Sequence, residues 1–331
     1  MTEATHEEPI SMNDDQAPPL RLVCRTSALP EEVKQDFATA FEVEFLPHTT
    51  PVDELPEADA LLVTVDAPLG AEDLRRLPRG VRAIATYSVG LDHIDLEAAR
   101  VQGFAVFNTP GVLADSVADA ALLLILGAAR RASESIALIR GGDWPGWNAC
   151  QLNGVELGGK VLGVYGMGQI GRRIAARARA FGMSVVYSDQ RPVADGSLEA
   201  RFLQDPDALF QESDVLVLTA PSTPETRGFV DARRLAAARP GLILVNVARG
   251  DLVVDDALVD ALRRGTVWAA GLDVFNGEPA LDPRYLQLPN AFLTPHIGSS
   301  TMEARRRMAS ILIEALSLWR QGARPVNQVV P

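Results

Sequence analysis

Short apolar runs alternate with helix-like stretches along most of the chain. In the first third, strands are predicted at 20–24, 43–46, 60–65, 83–86 and 105–107, with helices at 31–41, 69–77 and 96–102. In the remainder, strands are predicted at 161–165, 184–187, 215–219, 242–247, 267–272 and 291–293. Short continuous apolar runs are typical of buried strands. Their alternation with helices indicates an α/β protein with parallel sheets and right-handed crossovers.

Further helices and the length of the chain indicate two domains. A long helix is predicted at 116–140, ended by two glycines, with others at 206–211, 255–264 and 302–319. A chain of 331 residues is long for one core and natural for two domains. Residues 1–19 are polar and acidic, and they predict a disordered tail.

A glycine-rich turn lies between the strand at 161–165 and the helix that follows it. Gly166, Gly168 and Gly171 have the G-x-G-x-x-G spacing, and Asp189 follows the next strand. Such a turn brings the backbone and a helix N-terminus close to a pyrophosphate, and the acid can accept hydrogen bonds from a ribose. A glycine turn that binds nothing, and a plain acid at a strand end, are the alternative interpretations.

Composition narrows the choice of partners. The net charge is −12, and an acidic body without a basic stripe argues against a nucleic-acid or anionic-membrane surface. The two cysteines, Cys24 and Cys150, have neither metal nor disulfide spacing, so we expect no metal and a reducing cytoplasm. No signal-peptide layout is visible, and the apolar run at 118–129 is too short to span a bilayer.

Polar side chains follow several predicted strands. Arg249, the segment 273–278 and His296 come after strands of the second half, where a doubly wound sheet places its ligands. Arg249 could bind a carboxylate or form a salt bridge, and His296 could transfer protons or be structural. Glu278 would be a solvated acid unless it orients His296 and raises its pKa. Trp144 and Trp147 could serve in packing, in a dimer contact or in a substrate pocket.

Seven motifs in order along the chain resemble those of the D-isomer-specific 2-hydroxyacid dehydrogenases, especially the glyoxylate/hydroxypyruvate reductase branch. The motifs are Y-S-V-G-L-D-H-I-D (87–95), N-T-P-G-V-L-A-D-S-V-A-D (108–119), G-M-G-Q-I-G (166–171), P-S-T-P-E-T (221–226), N-V-A-R-G (246–250), G-L-D-V-F-N-G-E-P (271–279) and T-P-H-I-G-S (294–299).

The resemblance implies two doubly wound parallel-sheet domains. A Rossmann cofactor domain, 117–299, would be inserted into a flavodoxin-like substrate domain made of 20–116 and 300–331. It also implies a homodimer joined through the cofactor domains. The implied activity is reduction of a small 2-oxo acid to the D-2-hydroxy acid with NAD(P)H.

The resemblance also assigns roles to residues. Arg249, Glu278 and His296 match the family's catalytic positions, and the N–H groups of Val89 and Gly90 would bind the substrate carboxylate together with Arg249. The positions that match cofactor contacts are Gly166, Gly168, Gln169, Ile170, Gly171, Asp189, Ala220, Pro221, Thr226, Val247, Ala248, Arg249, Asp273, His296 and Gly298.

Two questions stay open at the level of sequence. Asp189 would repel the 2′-phosphate of NADP whereas Arg191 could attract it, so NAD is favoured and NADP is possible. The formate dehydrogenases, which resemble this chain, have glutamine at the position of Glu278. The glutamate therefore disfavours a formate dehydrogenase activity. A phosphite dehydrogenase, or a dinucleotide-sensing corepressor with an intact triad, remains an alternative.

Overall fold

The computed structural model describes residues 18–26, 28–194 and 198–330. The predicted tail at 1–19 therefore lies outside the described residues as far as residue 17. No helix in the described ranges is long and apolar enough to cross a membrane.

Most helices and strands lie where the apolar pattern predicts them, whereas the strands at 201–202 and 328–330 and the helix at 232–236 were not predicted. The first part of the chain forms β1 (Arg21–Arg25), α1 (Glu31–Ala40), β2 (Glu42–Leu46), β3 (Ala60–Val63), α2 (Ala71–Arg76), β4 (Ala83–Thr86), α3 (Leu96–Gln102) and β5 (Ala105–Phe107). The middle forms α4 (Ala114–Ala129), α5 (Ala132–Gly141), β6 (Val161–Tyr165), α6 (Gln169–Ala180), β7 (Ser184–Ser188), β8 (Arg201–Phe202), α7 (Ala208–Glu212), β9 (Val215–Leu218), α8 (Ala232–Ala236), β10 (Leu242–Asn246), α9 (Asp255–Arg264), β11 (Val267–Leu272) and β12 (Ala291–Leu293). The chain ends with α10 (Met302–Arg320) and β13 (Gln328–Val330).

The chain divides into two compact units. One comprises the chain up to Pro110 and from Arg306 onward, and the other is Gly111–Arg305. The boundaries expected from sequence were 116/117 and 299/300. The Rossmann unit is thus inserted into the chain of the other unit.

In the first unit, the strands form one sheet in the order β2-β1-β3-β4-β5-β13. The first five strands are parallel and have the flavodoxin-like order, whereas β13 is antiparallel to β5. β3 and β4 are buried at every residue, as expected for a parallel sheet covered on both faces.

In the second unit, seven parallel strands have the order β8-β7-β6-β9-β10-β11-β12. This is the Rossmann order with one extra strand, and the order reverses between β6 and β9. Alternate residues of a strand point to opposite faces. Leu216 and Leu244 accordingly join one buried core, whereas Val217 and Val245 join the other. The predicted fold class is confirmed.

The single long helix predicted at 116–140 is wrong. The structure contains α4 and α5 instead, separated at Arg131, whose φ of 56° is left-handed. The Arg131 guanidinium forms two hydrogen bonds with Glu134, with Nε at 2.7 Å from Oε2. The two helices also differ in burial, since α4 is largely buried whereas α5 buries no residue.

Candidate active site

The glycine turn after β6 has the shape that its spacing predicts. Gly166 has a φ of 98°, and a Cβ there would lie 2.7 Å from the backbone nitrogen of Ala220. A Cβ on Gly171 would lie 2.4 Å from the Gly166 carbonyl oxygen, so α6 can approach the strand only through glycine. By contrast, a Cβ on Gly168 would meet nothing within 4 Å. The turn therefore leaves open space beside the N-terminus of α6, which fits a pyrophosphate.

Asp189 follows β7 and is hydrogen-bonded to this turn. Its Oδ2 accepts from the Met167 N–H at 2.6 Å, and its Oδ1 accepts from the Gln190 N–H at 2.7 Å. The side chain is partly exposed, and Arg191 is exposed two residues later. An acid beside the glycine turn is where a Rossmann fold binds the adenosine ribose. The residues present therefore fit a dinucleotide.

The other predicted cofactor positions of this half lie around the same strand ends. Gln169 and Ile170 open α6, and Ala220 and Pro221 follow β9. The Thr226 hydroxyl donates to the Pro221 carbonyl oxygen at 2.7 Å. Thr226 thereby closes the loop from within.

The turn after β10 presents Arg249 and is held by Asn246. The Asn246 Oδ1 accepts from the Ala248 N–H at 3.0 Å, and its Nδ2 donates to the Arg249 carbonyl oxygen at 2.8 Å. Asn246 is only 1% exposed. Val247 lies inside this turn, between Asn246 and the residues to which Asn246 is hydrogen-bonded. Sequence reasoning did not assign a role to Asn246, although its place directly before V-A-R-G was a usable signal.

The turn also approaches the loop after β11 very closely. A Cβ on Gly250 would lie 2.0 Å from the carbonyl carbon of Phe275. Only glycine allows the two backbones to lie together here. The segment that carries Arg249 is therefore packed directly against the segment that leads to Glu278.

Asp273 anchors the loop after β12. This carboxylate is 1% exposed, and its Oδ1 accepts from the Thr294 hydroxyl at 2.6 Å and the Ile297 N–H at 2.8 Å. Its Oδ2 accepts from the Gly298 N–H at 2.8 Å. Both oxygens thus bind the loop that carries His296, a role that the sequence did not reveal.

His296 and Glu278 form a close pair. The His296 Nδ1 lies 2.6 Å from Glu278 Oε2, and the Glu278 Oε1 accepts from the Phe275 N–H at 2.8 Å. His296 has a left-handed φ of 52°, and its N–H donates to the Asp273 carbonyl oxygen at 2.8 Å. This geometry uses Nδ1 for Glu278 and leaves Nε2 as the nitrogen that faces away from it.

The electrostatics connect Glu278 with both other predicted catalytic residues. Partial burial raises the pKa of Glu278. The His296 hydrogen bond, the Phe275 N–H and the charge of Arg249 together lower this pKa by more than burial raises it. The net result is a pKa below the usual value of this group, so Glu278 is a carboxylate at neutral pH. Arg249, Glu278 and His296 therefore belong to one electrostatic environment.

Val89 and Gly90 belong to the other compact unit, in the loop after β4. Within the described residues, neither N–H group donates a hydrogen bond to the protein. Both amides therefore have the capacity to bind an anion.

This geometry of the second unit is that of a nicotinamide-dependent dehydrogenase. The family model for the D-isomer specific 2-hydroxyacid dehydrogenase, NAD binding domain, matches residues 122–298. A glycerate dehydrogenase of Hyphomicrobium methylovorum is 43% identical over 275 residues, which cover 80% of this chain and 85% of the relative. A glyoxylate reductase of Thermococcus litoralis is 37% identical over 316 residues, which cover 92% and 95%.

Solved structures agree with these relatives. A glyoxylate reductase from Paecilomyes thermophila superposes with a TM-score of 0.82 at 31% identity, covering 94% of this chain and 98% of that one. A D-lactate dehydrogenase from Aquifex aeolicus, complexed with NAD and lactic acid, gives 0.82 at 29% identity, covering 94% and 99%. The chain therefore belongs to the D-isomer specific 2-hydroxyacid dehydrogenase family, as its motifs predicted. It is an oxidoreductase with an NAD-binding domain.

Proposed function

We propose that the protein reduces a small 2-oxo acid of the glyoxylate or hydroxypyruvate type to the D-2-hydroxy acid, with NAD(P)H as the reductant. The observation that carries the proposal is the 2.6 Å pairing of His296 with an anionic Glu278 on a Rossmann unit. The names of the relatives, glyoxylate reductase and glycerate dehydrogenase, support this substrate class.

His296 is the proton donor in this proposal. Since Nδ1 is held by Glu278, the proton would leave from Nε2 and pass to the substrate's carbonyl oxygen. Glu278 stabilises the imidazolium and fixes the ring. The hydride that completes the reduction is what the nicotinamide supplies when bound. The products balance as one hydroxy acid and one oxidised dinucleotide.

Arg249 and the amides of Val89 and Gly90 are assigned to the substrate. The guanidinium is planar and can bind a carboxylate and a carbonyl oxygen at once. The two N–H groups would bind the carboxylate. The segments 20–116 and 300–331 would then form the substrate domain, and 117–299 the cofactor domain.

The remaining cofactor positions follow from the turns described above. Gly168 leaves room for the pyrophosphate, and Asp189 would accept from the ribose hydroxyls. The other contacts proposed are Gly166, Gln169, Ile170, Gly171, Ala220, Pro221, Thr226, Val247, Ala248, Asp273 and Gly298. NAD is the preferred cofactor in this proposal because Asp189 would repel a 2′-phosphate.

We further infer a homodimer joined through the cofactor unit. Helix α5 buries none of its residues, and the loop after it exposes Trp144 by 53% and Trp147 by 85%. Apolar side chains exposed together are typical of surfaces covered by a partner. The acidic charge supports the absence of a nucleic-acid partner, and the two free cysteines support a cytoplasmic location.

A substrate screen tests the proposed function. NADH and NADPH oxidation would be followed with glyoxylate, hydroxypyruvate, pyruvate, 2-ketogluconate and an aromatic 2-oxo acid, and NAD⁺ reduction with phosphite. His296→Ala serves as the control for contaminating activity. Turnover of a 2-oxo acid supports the proposal. Turnover of phosphite alone would indicate the phosphite dehydrogenase, and dinucleotide binding without any turnover would indicate a corepressor.

A further inference from the structure

Three successive carbonyl groups in the loop after β4 are held by the protein. The Ser88 carbonyl oxygen accepts from the Thr109 N–H at 2.9 Å. The Val89 carbonyl oxygen accepts from the Asn108 Nδ2 at 3.0 Å, and the Gly90 carbonyl oxygen accepts from the Ser88 hydroxyl at 2.5 Å. The orientation of three neighbouring peptide groups is therefore fixed by the protein.

Fixing the carbonyls also fixes the N–H groups. In a planar trans peptide the N–H of the following residue points away from the carbonyl oxygen, and the peptide bonds of this loop are trans. The N–H groups of Val89, Gly90 and Leu91 are thus directed away from their anchors. None of the three donates to another group of the described residues. Three successive amides are therefore available to hydrogen-bond an anion.

Asn108, which holds the central peptide, is itself held by the C-terminal segment. The Asn327 Nδ2 donates to the Asn108 carbonyl oxygen at 2.8 Å, and the Asn108 N–H donates to the Asn327 carbonyl oxygen at 3.4 Å. The two residues are 7% and 4% exposed. Asn327 directly precedes β13, the antiparallel edge strand. A segment 219 positions away in sequence thereby fixes the amide that orients Val89.

Ser88 is held in a comparable way from within the sheet. Its hydroxyl has a single proton, which goes to Gly90, so it must accept from the Thr86 hydroxyl at 2.9 Å. The Thr86 hydroxyl then has no second proton for His93, whose Nε2 lies 2.8 Å away. His93 must therefore donate from Nε2, and the donors run in one direction towards the Gly90 carbonyl.

We propose that Asn108, braced by Asn327, and Ser88 are positioning residues that hold the amides of Val89, Gly90 and Leu91 in place for the substrate carboxylate. The inference rests on the proposed function. The three amides, held in place before the substrate binds, are called the anion cradle below. Because the donors are oriented before the anion arrives, little reorganisation is needed on binding. The C-terminal strand is then part of the substrate site through Asn327.

The test compares Asn108→Ala, Asn327→Ala and Ser88→Ala with the wild type. For the best 2-oxo acid, Asn108→Ala and Ser88→Ala should each lower kcat/KM by about tenfold, mainly through KM, and Asn327→Ala by about threefold. The KM for NADH should stay within about twofold. The preference for the acid over its methyl ester should fall in parallel, since the ester lacks the anionic carboxylate.

Val330→Ala is the matched control, because it removes buried apolar volume from β13 without touching Asn108. A general loosening of the strand would raise KM equally in this control, and that result would overturn the role of Asn327. Wild-type values in both Asn108→Ala and Ser88→Ala would overturn the cradle. Should Asn108→Ala fail to fold, the other two variants decide by the same criteria. A wild type without turnover of any 2-oxo acid would instead reject the proposed function itself.

Discussion

Two aspartates stand at equivalent places in the Rossmann sheet, each directly after a strand and each accepting hydrogen bonds from the backbone of a turn. Asp189 is partly exposed and holds the glycine turn by one bond, from Met167. Asp273 is buried and holds the loop of His296 by three. The difference teaches that acids at equivalent strand ends can differ in how much of their hydrogen-bonding capacity the protein already uses.

The largest effect should come from the loop that Asp273 anchors. His296→Ala should lower kcat for 2-oxo acid reduction by about 10²–10⁴, the usual cost of a lost general acid. Affinity for NADH, measured by fluorescence titration, should hardly change. A wild-type kcat in this variant would show that His296 does not transfer the proton. The loop that Asp273 anchors would then have no catalytic role to distinguish it from the turn that Asp189 holds.

The next largest effect is a difference in protein stability between substitutions of the two aspartates. Asp273→Asn would place an NH₂ group against a buried N–H donor, which costs about 1–3 kcal/mol. The matched variant Asp189→Asn, at a partly exposed site, should cost well below about 1 kcal/mol. Urea denaturation of both proteins measures the difference. Equal losses would mean that the exposure of Asp189 does not distinguish its role.

The third effect concerns cofactor choice. Asp189→Asn should raise the ratio of kcat/KM for NADPH to that for NADH by about fivefold, because removing one charge relieves about 1 kcal/mol of repulsion with a 2′-phosphate. Asp273→Asn should leave this ratio unchanged. If the wild type already prefers NADPH, Arg191 rather than Asp189 determines the preference.

The smallest effect is a shift in pH dependence. Glu278→Gln removes the carboxylate that pairs with the His296 Nδ1, so the pH above which reduction fails should fall. The exposed acid Asp260 provides the control, Asp260→Asn. Profiles of kcat/KM against pH, taken at saturating NADH, should differ only for Glu278→Gln. Superimposable profiles would leave Glu278 as a loop acid without influence on His296.

Glu278 should also contribute to stability in a pH-dependent way. Its pKa in the folded protein is lowered, so its ionised form stabilises the native state above the unfolded-state pKa. That contribution should disappear as the pH falls through the folded-state pKa. Denaturation of wild type and Glu278→Gln should therefore converge in acid.

The sequence predicted those parts of the fold that depend on local rules. The glycine turn is an example, because each glycine answers a steric demand that can be read from its spacing. The alternation of apolar runs likewise predicted the main parallel strands of both sheets, but neither β8 nor the antiparallel β13. The break at Arg131 was missed because the left-handed position is occupied by arginine rather than by glycine, so no breaker residue marks it.

Long-range hydrogen bonds could not be predicted in the same way. The sequence did not indicate that Asn246 would hold the turn after β10 by hydrogen bonds. It also did not indicate that Asn327 would be the partner of Asn108. A buried amide must find partners, but which ones it finds depends on the folded chain. The residues themselves raised the pairing of His296 with Glu278 only as one of two alternatives, and the resemblance to a family was needed to choose it, since 18 residues and two loops separate them.

The closeness of Gly250 to Phe275 has a consequence for how this protein can vary. Gly250 follows Arg249, and the N–H of Phe275 holds Glu278. A single methyl group at position 250 would collide with the Phe275–Asn276 peptide, which adjoins the N–H that holds Glu278, so this peptide or the turn that carries the guanidinium would have to move. Two chemical functions are thus mechanically inseparable at this one contact.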